Sequence, residues 1–389
     1  MANRPNSSSP QSTPTVIDLF CGVGGLTLGA ARAGFHVAAA VDHDPRTGLA
    51  FQTNFPRYRY IEADIAELSG KGLLEKAETN RETIDGIIGG PPCQGFSRIG
   101  RRTPDDKRNN LFDDFFRIVE ELRPTFYLAE NVLGICDSQF DAIRETAMRR
   151  LCGYVQIGPL PLKASDYGAA TNRERVFFLG VLKERANGIS EETFAPPADV
   201  AEVTVGMALQ GLRRSINPDW QAESDGWRRV TPHTDGRFWK RIAECIPDGV
   251  GDAEAIRLLQ QEQLVSGCLG TRHTKAVAER FARVPEGSVD KPSRSVRLSR
   301  NGFCPTLRAG TGPERGSFQA LRPIHPTEPR VITPREAARL QGFPDWFQFD
   351  STKWHSFKQI GNSVSPILAE AVLGIIADNI LGKEKQNGN

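Results

Sequence analysis

The run Asp18-Leu-Phe-Cys-Gly22-Val-Gly24-Gly25-Leu-Thr-Leu-Gly29 decides how the first half of this chain folds. It leaves an apolar segment, Val16–Phe20, and enters a helical pattern from about Leu26 to Ala33, so it forms the turn between a buried strand and a helix. Glycines at such a turn let the backbone approach a ligand closely. The next strand, Val37–Val41, ends in Asp42-His43-Asp44. An acid at that strand end can accept hydrogen bonds from ribose hydroxyls. Asp64 follows a third strand at Arg59–Ile61, where it can bond an adenine amino group. The glycines alone would serve equally well as a tight turn; with Asp42 and Asp64 they outline an adenosine site. The loop departs from GxGxxG, because the last position counted from Gly22 is Thr27. A ligand without a pyrophosphate therefore suits it better than a dinucleotide.

Working outward, strands and helices alternate. A helix is expected around Thr47–Asn54 and strands at Ile84–Ile88, Phe126–Ala129 and Val176–Val181. Leu111, Phe115, Ile118, Val119 and Leu122 recur at helical spacing and predict an amphipathic helix over 110–122. Phe140, Ile143, Ala147 and Leu151 mark another. This alternation predicts an α/β fold: a Rossmann-like, mostly parallel sheet with helices on both faces. From about residue 186 prolines break the chain into short irregular pieces, which predicts a smaller, loop-rich second domain over 186–350. The expected organisation is a disordered tail at 1–13, a first domain at 14–185, the loop-rich domain, and a segment at 351–389 that returns to the first.

The 389 residues carry 49 Lys+Arg against 47 Asp+Glu, a formal charge of +2. That excludes a polyanion binder coated in basic residues but leaves room for a local basic groove. Such a concentration exists: Thr271–Arg300 holds eight cations against Glu279, Glu286 and Asp290, a net +5. Seven scattered cysteines without CxxC suggest neither a disulfide framework nor a metal site. The N-terminal tail lacks a signal-type apolar core. Pro366–Leu381 is apolar but carries Glu370 and Asp378, so it is expected to be a packed helix in a cytosolic protein without a membrane partner.

A second chemical motif, Gly89-Gly-Pro-Pro-Cys93-Gln-Gly-Phe-Ser97, follows the Ile84–Ile88 strand. A lone cysteine is usually a small buried hydrophobe. Between prolines and glycines in a turn, Cys93 is better placed as a nucleophile. Glu130 follows the Phe126–Ala129 strand at the same edge, where partial desolvation would raise its pKa; taken alone it could equally be a loop or capping acid. Arg173 and Arg175 alternate on an extended segment and so point the same way; alone they could equally form a surface ion-pair strip.

With these residues in place, the chain closely resembles the DNA (cytosine-5) methyltransferase family of the bacterial modification type. DLFCGVGGLTLG resembles the methyl-donor loop, GGPPCQGFS the catalytic cysteine loop, ENV the acid motif and TNRERVF the arginine motif. Cys304-Pro-Thr-Leu-Arg-Ala-Gly310 and Gly361-Asn362-Ser363-Val364 follow in the family's order. Thr171 departs from the glutamine that usually opens the arginine motif. The resemblance implies a methyltransferase fold, S-adenosylmethionine as donor and double-stranded DNA as partner. Cys93 would add to C6 of a flipped-out cytosine, Glu130 would act at N3, and Arg175 would hold O2 with Arg173 in support. Donor contacts would come from Phe20, Gly22, Gly24, Gly25, Leu26, Asp42, His43, Asp64, Ile65, Pro92, Leu111, Asn362, Ser363 and Val364, with His43 stacking on the adenine. The basic stretch Ser97–Asn110 would close over DNA, and the second domain, 186–350, would be the target-recognition domain that reads sequence in the major groove, with Thr271–Arg300 contacting phosphates or bases. A monomer suffices, and a cognate restriction endonuclease would act on the same site without touching this chain. The alternatives are a tRNA cytosine-5 methyltransferase, a non-catalytic DNA-binding protein and an NAD oxidoreductase. The long variable region before Cys304 favours reading of DNA, and an oxidoreductase leaves the Pro-Pro-Cys93 loop unexplained.

Overall fold

The computed structural model describes residues 13–92, 110–217, 226–233, 235–310 and 322–381. Cys93 and residues 97–109 of the basic stretch lie outside the described residues.

Seven strands form the central sheet: β1 (Thr15–Leu19), β2 (His36–Asp42), β3 (Tyr60–Glu62), β4 (Gly86–Gly89), β5 (Phe126–Asn131), β6 (Tyr154–Lys163) and β7 (Glu174–Leu182). Their order is β3-β2-β1-β4-β5-β7-β6. The first five run parallel, whereas β7 is antiparallel to β5 and to β6. The mostly parallel sheet expected from the alternation is therefore present. The sequence reading passed over β6, because Gly158, Pro159 and Pro161 look like a strand break. An edge strand tolerates proline, since its outer N–H groups need no ladder partner, and β6 shifts register between Ile157 and Leu160.

Helices cover both faces. α1 (Gly25–Arg32) and α2 (Pro45–Asn54) lie on one; α3 (Gly70–Ala77), α4 (Asn110–Leu122) and α5 (Asp141–Arg149) pack into the other core. The amphipathic reading of 110–122 coincides with α4, whose Phe112, Phe115, Phe116 and Val119 are fully buried.

The second half contributes small elements: α6 (Val205–Ala208), β8 (Arg228–Arg229), α7 (Arg237–Trp239), α8 (Ala253–Arg257), β9 (Leu264–Val265), α9 (Lys275–Arg283), α10 (Pro334–Gln341), α11 (Lys353–Asn362) and α12 (Pro366–Ile376). Irregular backbone leaves many carbonyls to satisfy, and buried arginines supply the donors. Arg335 donates to the carbonyls of Ser266, Pro344 and Phe347, while Arg339 forms a two-point pair with Asp345. Part of this half braces the first. Arg32 donates to Arg241 O at 2.5 Å, and Gly251 N donates to Asn54 O at 2.6 Å.

Residues Lys353–Leu381 are long and apolar enough, by length and composition, to cross a membrane. Ser363–Ser365 breaks the run, however, and Ile367, Leu368, Val372, Leu373 and Ile376 of α12 are buried. Helix α12 packs closely on α1: a methyl at Gly29 would lie 2.3 Å from Ala369 Cβ.

Candidate active site

The turn after β1 is wound through left-handed steps at Phe20 (φ 59°), Gly22 (56°) and Gly24 (94°). Cys21 N donates to Val41 O at 3.0 Å, and Gly24 N closes the turn onto Cys21 O at 2.9 Å. A side chain at Gly24 would run into Phe55, whereas nothing lies within 4 Å of a methyl at Gly22. The space above Gly22 is an open cradle at the carboxyl edge of the sheet, where open α/β folds bind ligands.

Asp42 rims that cradle and has a second task the sequence did not show. Its Oδ2 accepts from Gly22 N at 2.9 Å and its Oδ1 from Asp44 N at 3.0 Å. The carboxylate thus pins the glycine turn while keeping lone pairs for a ligand hydroxyl. His43 is 73% exposed, with Nδ1 3.6 Å from Asp42 Oδ1. Asp64 is exposed and accepts from Ala66 N at 3.0 Å. Ile65 and Leu26 are buried, and Leu111 and Pro92 half-buried. Helix α4 is tied to this corner, since Arg117 donates to Ile65 O at 2.8 Å.

The C-terminal motif meets the glycine turn directly. A methyl at Gly25 would sit 2.4 Å from Val364 O and 3.2 Å from Ser363 Cβ. Gln341 holds Ser363 O at 2.9 Å, and Asn362 is exposed at the end of α11. Residues more than three hundred positions apart therefore share one wall.

Sequence reasoning missed Asp18. It is fully buried beneath α1, its Oδ2 accepts from Thr27 Oγ1 at 2.5 Å, and its Oδ1 has no hydrogen-bond partner. Burial, reinforced by Asp42, pushes its carboxyl up to about 7. An acid at the middle of an apolar strand was the available signal.

Glu130 and Asn131 close β5 opposite Phe177 and Val176 of β7. Because β7 is antiparallel, Arg173 just before it and Arg175 near its start reach the edge where the parallel strands end. Arg175 Nε lies 2.8 Å from Glu130 Oε1, and the two form an ion pair in the buried edge. Burial raises the Glu130 pKa, against the opposing pull of Arg175 and Arg173. Arg173 is 1% exposed and donates to Leu307 O at 3.2 Å. Asn131 Nδ2 donates to Pro91 O at 3.2 Å, and a methyl at Gly90 would be 3.1 Å from Glu130 Oε2. The Gly-Gly-Pro-Pro segment thus runs against the Glu130 carboxylate at Gly90, three residues before position 93.

Thr171, the departure in the arginine motif, has a defined role. Its hydroxyl donates to Cys304 O at 3.0 Å, and Asn172 N and Ala170 O extend the same short pairing. A methyl at Gly361 would be 2.8 Å from the carbonyl carbon of Arg308. The 304–310 segment is consequently sandwiched between the arginine motif and the Gly361–Val364 turn.

Residues 14–378 match the family model described as C-5 cytosine-specific DNA methylase. The chain is similar to the type II methyltransferase M.XorII of Xanthomonas oryzae, 39% identical over 93% of this chain and 84% of that protein. It is 31% identical to the type II methyltransferase M.DdeI of Desulfomicrobium norvegicum, over 92% and 87% of the two chains. Among solved structures, it resembles a prophage-encoded Escherichia coli protein described as a DNA modification methyltransferase. The TM-score is 0.86 at 49% identity, covering 95% of this chain and all of that one. The Schizosaccharomyces pombe Dnmt2 structure shares the fold with a TM-score of 0.54 at 18% identity, over 94% of this chain and 98% of that one.

Proposed function

The chain belongs to the C-5 cytosine-specific DNA methylase family, and from that premise we propose how its residues divide the work of methylating cytosine in DNA. The protein is a DNA (cytosine-5)-methyltransferase. One observation carries the assignment of roles: a buried carboxylate, Glu130, stands at the sheet edge between Arg175 and Gly90, which opens the Gly90-Pro-Pro segment leading to Cys93.

Cytosine C5 is a poor nucleophile. In our reading the Cys93 thiolate adds to C6, which breaks the aromaticity and makes C5 enamine-like. Glu130, whose pKa burial raises, donates to N3 and stabilises the charge this addition creates. Arg175 holds O2 and at the same time limits how far burial can neutralise Glu130. Arg173 is a positioning residue, its guanidinium anchored on Leu307 O. Once C5 carries its new methyl group, a water in the site takes the C5 proton, the freed electron pair re-forms the C5–C6 double bond and expels Cys93 as thiolate, and Glu130 takes back the N3 proton. None of these groups reaches C6 inside a duplex, so the cytosine must leave the stack.

The donor site fits S-adenosylmethionine. The cradle above Gly22 is open, the Asp42 carboxylate rims it, His43 presents an exposed ring, and Ser363 and Val364 wall its far side. When bound, this donor supplies the electrophilic methyl group that C5 accepts. Asp42 would hold the ribose hydroxyls, His43 would offer its exposed ring to the adenine and Asp64 would bond the adenine amino group. Phe20, Gly24, Leu26, Ile65, Pro92, Leu111 and Asn362 complete the enclosure.

Residues 14–185 and 351–389 form the catalytic unit and 186–350 the target-recognition unit. The enzyme works as a monomer in the bacterial cytoplasm, as the modification half of a restriction-modification pair. Its endonuclease would share the DNA site and not the protein surface.

A duplex carrying 5-fluorocytosine tests the chemistry. With donor present, the wild-type enzyme should form a covalent adduct stable to denaturation, and Cys93→Ala should bind DNA but form none. An adduct with Cys93→Ala, or none with the wild type, would overturn the assignment.

A further inference from the structure

The stretch Thr271–Arg300 carries a net +5, and the fold divides its cations into two groups. Arg280 pairs with Asp290 at 2.9 Å, and Arg300 with Glu286 at 2.9 Å. Arg297 donates to the carbonyls of Phe281, Ala282, Val284 and Pro326. These three arginines are consumed in building a platform. Lys275, Arg283, Lys291 and Arg294 are instead exposed, and no carboxylate among the described residues lies within ion-pair distance of them.

Lys291 and Arg294 stand on one rigid turn. Val289 and Val296 pair across its base in antiparallel fashion. Asp290, itself buried, accepts from Arg280, from Ser293 N at 3.1 Å and from Ser293 Oγ at 2.5 Å. Arg294 N closes the turn onto Asp290 O at 2.7 Å. Arg294 does so in the left-handed region, at φ 56°, where a glycine or asparagine would sit with less strain. The fold thus keeps a strained arginine at an exposed tip.

The tip is connected to the active site by a short path. From Ser295 the chain runs past the Arg297–Ile324 bridge to Cys304, which pairs with Thr171 at the head of the arginine motif. The ten residues from Arg294 to Cys304 span at most about 36 Å when fully extended. That is close to one turn of B-DNA, roughly 34 Å.

We propose that the Asp290–Ser295 turn enters the major groove, that Arg294 reads a guanine through its N7 and O6 edge, and that Lys291 neutralises an adjacent phosphate. This rests on the DNA methyltransferase reading and assigns a specificity-determining side chain within it. Arginine is the side chain suited to this contact, because its planar fork matches the two guanine acceptors. The rigid turn supplies the orientation that a free loop would lack.

The test uses the full-length enzyme. Bisulfite sequencing of a methylated random-sequence duplex library first defines the wild-type site. Each guanine of that site is then replaced in turn by 7-deazaguanine, which removes the N7 acceptor. Wild-type kcat/KM should fall tenfold or more at one guanine position. Arg294→Gly, which keeps the turn because glycine accepts its φ, should be insensitive to that same replacement, methylate sites altered there and melt at the wild-type temperature or above. Lys291→Ala should weaken all sequences alike and reduce the salt dependence of binding by about one counterion. Unaltered site preference in Arg294→Gly, or 7-deazaguanine sensitivity identical to the wild type, would overturn the proposal alone. A wild-type enzyme that leaves no 5-methylcytosine in any duplex would overturn the underlying reading as well.

Discussion

Adding one methyl group at three glycines separates the donor site from ordinary packing. At Gly25 the new methyl would lie 2.4 Å from Val364 O, roughly 0.6 Å inside the closest approach such a carbon tolerates. The obstacle is backbone, so it cannot rotate away. Either α1 or the Ser363–Val364 turn must shift, and overpacking of this kind costs about 1–3 kcal/mol. At roughly 2 °C per kcal/mol for a chain of this size, melting should fall by about 2–6 °C. Gly29→Ala meets Ala369 at 2.3 Å and should destabilise by a similar amount, but one helical turn away from the cradle. Gly374→Ala, on α12, meets nothing within 4 Å and should stabilise by ~0.5–1 kcal/mol through helix propensity alone. Urea unfolding gives the three stabilities, and steady-state methyl transfer at saturating DNA gives KM for the donor. We expect donor KM to rise about tenfold or more for Gly25→Ala, equivalent to ~1.4 kcal/mol, and by less than twofold for the other two. Equal donor KM in Gly25→Ala and Gly29→Ala would refute the view that Gly25 and Val364 form one wall of the donor site.

Further outcomes follow from the buried acids and the seam at Thr171. Glu130→Gln should slow transfer by about 10²-fold or more while DNA affinity holds, and an unchanged single-turnover rate would remove Glu130 from the chemistry. Because burial raises the Glu130 pKa and the protonated form is the donor, the wild-type rate should decline as pH rises past the usual carboxylate range. Asp18, pushed up to about 7 from an ordinary 3.8, contributes stability that is full below pH 3.8 and gone once pH passes 7. Asp18→Asn should flatten that part of the urea-midpoint profile, and an unaltered profile would contradict the assignment. His325 works in the opposite sense: burial lowers its pKa from 6.5, so its contribution is full above pH 6.5 and is lost as pH falls. Thr171→Val removes one hydrogen bond to Cys304 O and should cost about 1 kcal/mol of stability with donor KM unchanged.

What could be anticipated from the chain depended on whether the cause was local. The glycine turn, the strand ends at Asp42 and Glu130 and the α4 periodicity are written in consecutive residues, and each proved to be where its pattern placed it. Strand β6 escaped because Gly158, Pro159 and Pro161 carry a breaking signal that only an edge position excuses. The second task of Asp42 escaped because its partner Gly22 is twenty residues away. Thr171 looked like a defect in a motif, yet its role is fixed by Cys304, 133 residues downstream. Counting charges found the basic stretch but could not show that Arg280, Arg297 and Arg300 are spent internally. That division depends on side-chain geometry and not on composition.

The wall shared by Gly25 and Val364 bears on how the enzyme comes into being on the ribosome. The glycine turn is synthesised long before residues 363–376, and although Asp42 and Phe55 can already pack on it, its Gly25 side stays uncovered until the Ser363–Val364 turn is in place. A nascent chain that has reached residue 350 still lacks the Val364 and Ser363 contacts to Gly25. A product ending just before Ser363 should therefore lack donor binding and methyl transfer, which a donor-binding assay on such a truncation checks.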